Sequence, residues 1–228
     1  GLAGARNVGI SHATGEWLAY LDSDDAYKPN FLEVMHAAAT DDVDVVGIAA
    51  SGGNVATAQV VANTLGWLEL AGRSDIPVHP GHPLPLARHG DDVPVTATEM
   101  ADIEYADLTH GQTGTGYATL PTPTVAASST SAAQAWVDAA RAHPGELIGV
   151  VIGPSTNLAL ALDIEPRLPH LLRRLFIMGG AFNYRGNTHP TTEWNVTFDP
   201  ESTAQVLTAW DRARHEQPDL ELPVIAPI

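Results

Sequence analysis

Residues 147–162 read LIGVVIGPSTNLALAL. The first six are apolar without alternation, which predicts a strand buried within a sheet. Gly153-Pro154 ends that strand, and Thr156 to Leu162 then has helical character behind a short polar turn. The same order recurs downstream: Leu175 to Met178 reads as a strand, Pro200 to Trp210 as a helix and Leu222 to Ala226 as a last strand. Upstream, Ala133, Trp136, Val137 and Ala140 share one face of a helix stopped by Pro144-Gly145, preceded by a Thr/Ser/Ala/Pro-rich loop or lead-in at 118–133. A β-branched run, Val43 to Ala49, predicts a strand buried on both faces, and Gly52-Gly53-Asn54 breaks it. A helix over Val55 to Ala71, with Val60, Trp67, Leu68 and Ala71 in period, leads to a short strand at Ile76 to Val78. At the start, Ala3 to Ala13 can be helical up to Gly15, Trp17 to Leu21 is a compact apolar strand, and Phe31 to Ala39 is helical after Pro29. Strand and helix alternate almost throughout. The pattern predicts an α/β fold: a mostly parallel sheet with helices on both faces.

Composition narrows the function. The 228 residues are 44% hydrophobic and 17% charged, enough for one sizeable core in a soluble globular protein. A formal charge of −16, with Lys and Arg totalling 11, speaks against gripping a nucleic-acid backbone and for a small molecule or a metal. No apolar run is long enough to cross a bilayer and no leader opens the chain, so no membrane contact and a cytoplasmic location are expected. The absence of cysteine rules out thiolate sites and leaves oxygen or imidazole ligands for any metal. The chain opens at Gly1 and stops at Ile228 just after a strand-like run, which predicts a fragment.

In sheets of this kind ligands collect at the carboxyl ends of the strands. Useful residues follow four predicted strands: Asp22, Asp24 and Asp25; Gly52-Gly53-Asn54; Gly153 to Asn157; and Gly179-Gly180. Three carboxylates on one short loop repel one another unless a cation neutralises them, and oxygen-only ligation suits calcium or magnesium. The same acids could also cap the next helix or fill a turn. A second polar cluster, GNTHPTTEWNVTFDP, spans 186–200. If extended, it points Glu193 and Asn195 to one face, where a carboxylate and an amide could bind adjacent sugar hydroxyls; by periodicity alone it is a polar loop. His79, His82 and His89 lie in a proline-rich stretch and read as solvated loop histidines rather than a metal set. Trp67 and Trp136 read as core, and Trp194 as packing inward.

The runs VDVVGIAASGGNV, ANTLGWLELAGRSDIPV, THGQTGTG, IGPSTNLALAL, IMGGAF and GNTHPTTEWNVTFDPESTAQVL follow one another over about residues 41–228. In order and spacing they resemble the inosine-uridine-preferring nucleoside hydrolases. The resemblance implies an incomplete Rossmann-like open sheet flanked by helices, a bound calcium ion (Ca2+), and hydrolysis of the N-glycosidic bond of ribonucleosides to ribose and free base. It implies that Asn54 contacts the ribose and that the Thr156 carbonyl ligates calcium. Met178, Asn187, Glu193 and Asn195 would line the sugar pocket, and His110 would stand near the base. Thr113 replaces a usual aspartate. The family's opening DxDxxxDDA loop is shortened here to Leu21-Asp22-Ser23-Asp24-Asp25-Ala26. A last calcium-ligating aspartate, beside a histidine that assists the leaving base, would lie past Ile228. Assembly as a homodimer or homotetramer is also implied.

Residues 1–29, GLAGARNVGISHATGEWLAYLDSDDAYKP, resemble instead the central motif of family 2 glycosyltransferases with the GT-A fold, whose Asp-x-Asp holds a divalent metal. The chain thus reads as a glycosyltransferase-like segment over 1–40 joined to a hydrolase domain over 41–228. The segment would supply a first strand and acidic loop, with Asp25 a direct calcium ligand, Asp24 its neighbour, and Asp22 both a ligand and the water-activating base. The alternatives are a glycosyltransferase-derived fusion and an inactive remnant that binds nucleoside weakly or not at all.

Overall fold

The computed structural model describes residues 44–86, 97–116, 118–187 and 189–228. Asp22, Asp24, Asp25 and His89, the elements expected before residue 44, and the join expected near residue 40 all lie outside the described residues. In chain order the elements are β1 (Ile48–Ala49), α1 (Thr57–Leu70), β2 (Val78–His79), α2 (Ala97–Ala101), α3 (Asp107–His110), α4 (Ala132–Ala142), β3 (Ile148–Val151), α5 (Thr156–Ile164), α6 (Leu168–Leu171), β4 (Arg174–Met178), α7 (Trp194–Phe198), α8 (Pro200–Glu216) and β5 (Val224–Ala226). All strand pairs are parallel: β1 with β2, and β3 with β4 with β5. The architecture is the α/β arrangement expected from the alternation. Among the described residues no helix is long and apolar enough to cross a membrane.

The major core lies on one face of β3–β4–β5. Val151, Leu175 and Ile177 point into it and meet Val137 of α4, Leu158 and Leu162 of α5, Leu168 of α6, and Val206 and Trp210 of α8. Leu158, Leu168 and Leu175 are almost wholly buried, and each such side chain stabilises the fold by about 1.5–3 kcal/mol. A smaller core joins Leu65 of α1 to Ala50 and Val78.

Several helix ends follow sequence rules. Ser131 caps α4 by accepting from the Gln134 amide, and Asp199 caps α8 ahead of Pro200 in its first turn. Glu165, just past α5, accepts two guanidinium hydrogen bonds from Arg141 of α4 at 2.6 and 3.0 Å, and that guanidinium holds its carboxyl below the usual range. Among the loops, Glu69 of α1 accepts from the Thr124 hydroxyl and amide and from Ser74, so the polar stretch before α4 is pinned to α1.

The structure corrects four expectations. Of the strand expected over Val43 to Ala49, the described residues 44–49 are regular only at Ile48–Ala49, because the hydrogen bonds to β2 begin with Ile48. The strand at Leu147 to Ile152 is not buried on both sides: its pattern alternates, leaving Ile148, Val150 and Ile152 exposed. Trp67 is 46% exposed on the outer side of α1 rather than in the core, whereas Trp136 is half-buried against it. Short helices α2, α3, α6 and α7 were not marked by periodicity, since four or five residues make barely one turn.

Leu158→Ala should lower unfolding free energy by about 3 kcal/mol, because the cavity forms where three helices and the sheet meet. Leu70→Ala, at the exposed end of α1, should change it by less than about 0.5 kcal/mol; urea denaturation of both variants checks the contrast.

Candidate functional site

Three strand tips converge through buried polar side chains. Beyond β1, Ser51 donates from Oγ to the Pro154 carbonyl at 3.1 Å. Asn157, in the first turn of α5, donates from Nδ2 to the Ala50 carbonyl and the Ser51 hydroxyl, both at 3.0 Å. Its Oδ1 accepts from the His82 amide at 3.0 Å. One amide therefore joins the ends of β1 and β3 to the loop after β2. Gly53 has φ +134° and packs so closely that a Cβ would lie 3.0 Å from the Pro154 ring. Glycine alone satisfies both the left-handed backbone and the close approach.

The tips of β3 and β4 are joined by Asn195. Its Nδ2 donates to the Met178 carbonyl at 3.2 Å and to the Ile152 carbonyl at 3.4 Å, with Met178 Sδ at 3.1 Å. Glu193 is 1% exposed and caps α7: its carboxylate accepts from the amides of Asn195 at 2.9 Å, Val196 at 3.2 Å and Gly180 at 3.1 Å. Asn187 Oδ1 accepts from the Trp194 amide at 3.0 Å. The stretch expected to be extended therefore turns into a helix at Trp194. Glu193 and Asn195 still work together, as cap and first-turn residue, because the free amides of a helix start attract a carboxylate.

Asp199 was not singled out from the sequence. It is fully buried and accepts from Leu86 N at 2.9 Å, Thr156 Oγ1 at 2.5 Å and Ser202 N at 3.1 Å. It thereby orients Thr156, 4% exposed at the start of α5, and locks α5 to α8. The Asp-Pro pair at 199–200 is the available signal, but it announces a helix start rather than the contact with Thr156.

The remaining predicted residues stand around these tips. Asn54 is exposed immediately after Gly53. His110 ends α3, and its carbonyl accepts from Gly116 N at 3.0 Å. The loop after it packs on Val55, next to Asn54, through Gly114, while Thr113 offers its carbonyl to Asn63 Nδ2 at 2.7 Å. Ala106 N donates to Gly53 O at 3.1 Å, holding α3 against the β1 tip. Tyr105, Phe198 and Trp194 form an aromatic row with centroid separations of 6.3 and 6.1 Å. Within it, Tyr105 Oη and Trp194 Nε1 are buried without a hydrogen-bond partner, and burial pushes the Tyr105 phenol up.

His79 and His82 are half-buried, and each has Nδ1 at a backbone carbonyl, of Thr130 at 3.2 Å and Leu84 at 3.0 Å; they are structural rather than solvated. Among the described residues no three His, Asp or Glu side chains stand as a metal site. Thr156 is the one member of the expected calcium set among them, so the described residues alone do not fit the ion.

The model of the inosine-uridine preferring nucleoside hydrolase family matches residues 21–227. A probable uridine nucleosidase 2 of Arabidopsis thaliana is 35% identical over 167 residues, 73% of this chain and 48% of that protein. A pyrimidine-specific ribonucleoside hydrolase RihA of Citrobacter koseri is 34% identical, over 77% of this chain and 52% of its own length. Among solved structures, the plant nucleoside hydrolase PpNRh1 superposes with TM-score 0.68 at 28% identity, covering 86% of this chain and 55% of that one. A purine-preferring ribonucleoside hydrolase from Gardnerella vaginalis gives 0.66 at 26% identity, covering 79% and 54%. The chain spans about half the length of the curated relatives it matches.

Asp199→Ala should cost about 3 kcal/mol, since it leaves the Leu86 and Ser202 amides and the Thr156 hydroxyl without their acceptor. Asp199→Asn, which keeps an acceptor oxygen, should cost less, and thermal unfolding of the two variants tests the order.

Proposed function

Because this chain belongs to the inosine-uridine preferring nucleoside hydrolase family, we propose that it hydrolyses the N-glycosidic bond of ribonucleosides, releasing ribose and free base. The observation that carries the reading is the convergence of Asn195, Met178 and Glu193 on the tips of β3 and β4. These are the residues that the resemblance assigns to the sugar. With both Nδ2 hydrogens directed at strand-end carbonyls, the Asn195 amide has its Oδ1 left to accept from a ribose hydroxyl. Glu193 adds a fixed negative charge held by three amides, with acceptor capacity left for one further O–H.

In the reaction, a water oxygen bonds to the anomeric carbon as the bond to the base nitrogen breaks, and its electron pair leaves with the base. Positive charge grows on the sugar between those events. Preorganised carboxylate and amide oxygens favour that charge without having to reorganise. Asp22 would take the proton of the attacking water, and Asn54 and Asn187 would fix the ribose. His110 would face the base. The family match beginning at residue 21 takes in the acidic loop and supports its use here. Residues 1–40 would then contribute the first strand, Trp17 to Leu21, whatever the origin of that segment. Asp22, Asp24, Asp25 and the Thr156 carbonyl would hold calcium, which when bound supplies a diol ligand and a more acidic water. Assembly as a homo-oligomer, which the resemblance implies, and a cytoplasmic location complete the reading.

The test is release of base from uridine and inosine, followed chromatographically with added calcium and with a chelator. Release that the chelator abolishes is expected. Asn195→Ala should lower kcat by about a hundredfold or more, and Asp22→Asn at least as much. No release from either nucleoside under any condition, or an unchanged rate in Asn195→Ala, would overturn the assignment.

A further inference from the structure

Among the described residues the strands form two groups, β1–β2 and β3–β4–β5, and the site residues hang from both. Glu193 and Asn195 stand at the start of α7 and are tied to the tips of β3 and β4 through Gly180, Met178 and Ile152. His110 ends α3, and the segment around it is tied to the β1 side instead. Ala106 N donates to Gly53 O at 3.1 Å, Asn63 of α1 donates to the Thr113 carbonyl at 2.7 Å, and Gly114 packs on Val55. Ser51 and Asn157 hold the strand tips together, but neither reaches α3 or α7. An aromatic side chain makes that crossing. Tyr105 immediately precedes Ala106, the cap of α3, and its ring stacks on Phe198, the last residue of α7, with centroids 6.3 Å apart and planes 30° from parallel. Phe198 in turn meets Trp194, which lies between Glu193 and Asn195, at 6.1 Å. The Trp194 indole also lies by Gly53, where a Cβ would stand 3.8 Å from Nε1.

We propose that Tyr105 is a positioning residue: its ring on Phe198 sets the place of α3, and with it His110, relative to Glu193 and Asn195 at the start of α7. The proposal rests on the reading under the proposed function, in which His110 faces the base and α7 the ribose. A nucleoside then spans the two groups, its base referred to α3 and its sugar to α7. Aromatic rings attract at preferred separations and tilts, so the pair fixes a distance and not merely a contact. The Tyr105 hydroxyl takes no part in this, since Oη is buried without a hydrogen-bond partner. The ring alone carries the role. Without it, α3 keeps its attachments to Gly53, Asn63 and Val55 but loses its reference to α7. The base would then be misplaced while the ribose stays held, and a misplacement of about an ångström is enough to slow a reaction by about a hundredfold.

In the full chain with added calcium, Tyr105→Leu should lower kcat/KM for uridine by about a hundredfold. The same variant should change kcat/KM for 4-nitrophenyl riboside by less than about threefold, because nitrophenolate departs with the bonding electron pair as a stable anion and needs no contact with His110. Tyr105→Phe, which keeps the ring, should hold the wild-type ratio between the two substrates, and Tyr105→Met should behave as Tyr105→Leu does. A merely structural role would lower both substrates alike. Without any nucleoside, hydrogen exchange at the Ala106 and His110 amides, which donate to Gly53 O and Ala106 O, should quicken about tenfold in Tyr105→Leu, with the Val206 amide inside α8 unchanged. Equal loss on both substrates, a ratio shifted as far by Tyr105→Phe as by Tyr105→Leu, unchanged exchange at both amides, or failure of both Tyr105→Leu and Tyr105→Met to fold would overturn the proposal. Quickened exchange in a chain whose wild type releases no base would count against the catalytic reading alone. Base release with the substrate ratio and the exchange both unmoved would count against this proposal alone.

Discussion

The Asp199 carboxylate is the constraint around which the described structure is ordered. A carboxylate out of contact with water is costly unless its oxygens are hydrogen-bonded, and here the amides of Leu86 and Ser202 and the hydroxyl of Thr156 meet that demand. Those donors come from a loop, the start of α8 and the start of α5. Satisfying one charge thus fixes three segments against one another and presents the α5 terminus, with Thr156 and Asn157, to the strand tips. Glu193 repeats the device one layer over, at the start of α7 beside Gly180. Helix starts supply unpaired amides, buried carboxylates consume them, and the site is what lies between.

This logic explains what could be read from residues alone. The alternation of β3, α5, β4, α8 and β5 was legible because each element carries a local signal: an apolar run, a Gly-Pro break, a helical period. The cluster of Met178, Asn187, Glu193 and Asn195 was reached through motif order, and the structure brings all four around the β4 tip and the start of α7. Asp199 escaped, and the bridging role of Asn157, placed only among the useful residues after a strand, stayed hidden, because their partners are distant in sequence: Thr156 lies 43 positions from Asp199, and Ala50 lies 107 from Asn157. Glu193 was recognised as polar and useful, but its capping role was hidden because glutamate is not among the residues favoured at helix starts. Trp67 misled because a helical period shows which residues share a face, not whether anything packs on it.

The polar residues of the site also divide by what they hold. Asn157, Ser51 and Asp199 hold protein to protein. Asn54 and Met178 remain accessible at the tips, and Asn195 has an oxygen to spare. A ligand arriving there meets groups whose supports are already rigid, which is the condition for orienting a reacting sugar without reorganisation. The aromatic row beside it, with the buried Tyr105 hydroxyl and Trp194 indole N–H unpaired, gives this wall a polarity that a phenylalanine row would lack.

The margin of β3 away from β4 bears on how molecules of this protein meet one another. Among the described residues nothing pairs with β3 on the side away from β4, and a row of amides and carbonyls left unpaired there is a template on which another chain could add a strand. Where that edge lacks a cover, mutual repulsion between chains carrying a formal charge of −16 opposes such growth. That repulsion is screened as ionic strength rises. Storage in dilute buffer would then favour dispersed molecules, and concentrated salt would favour precipitates built edge to edge.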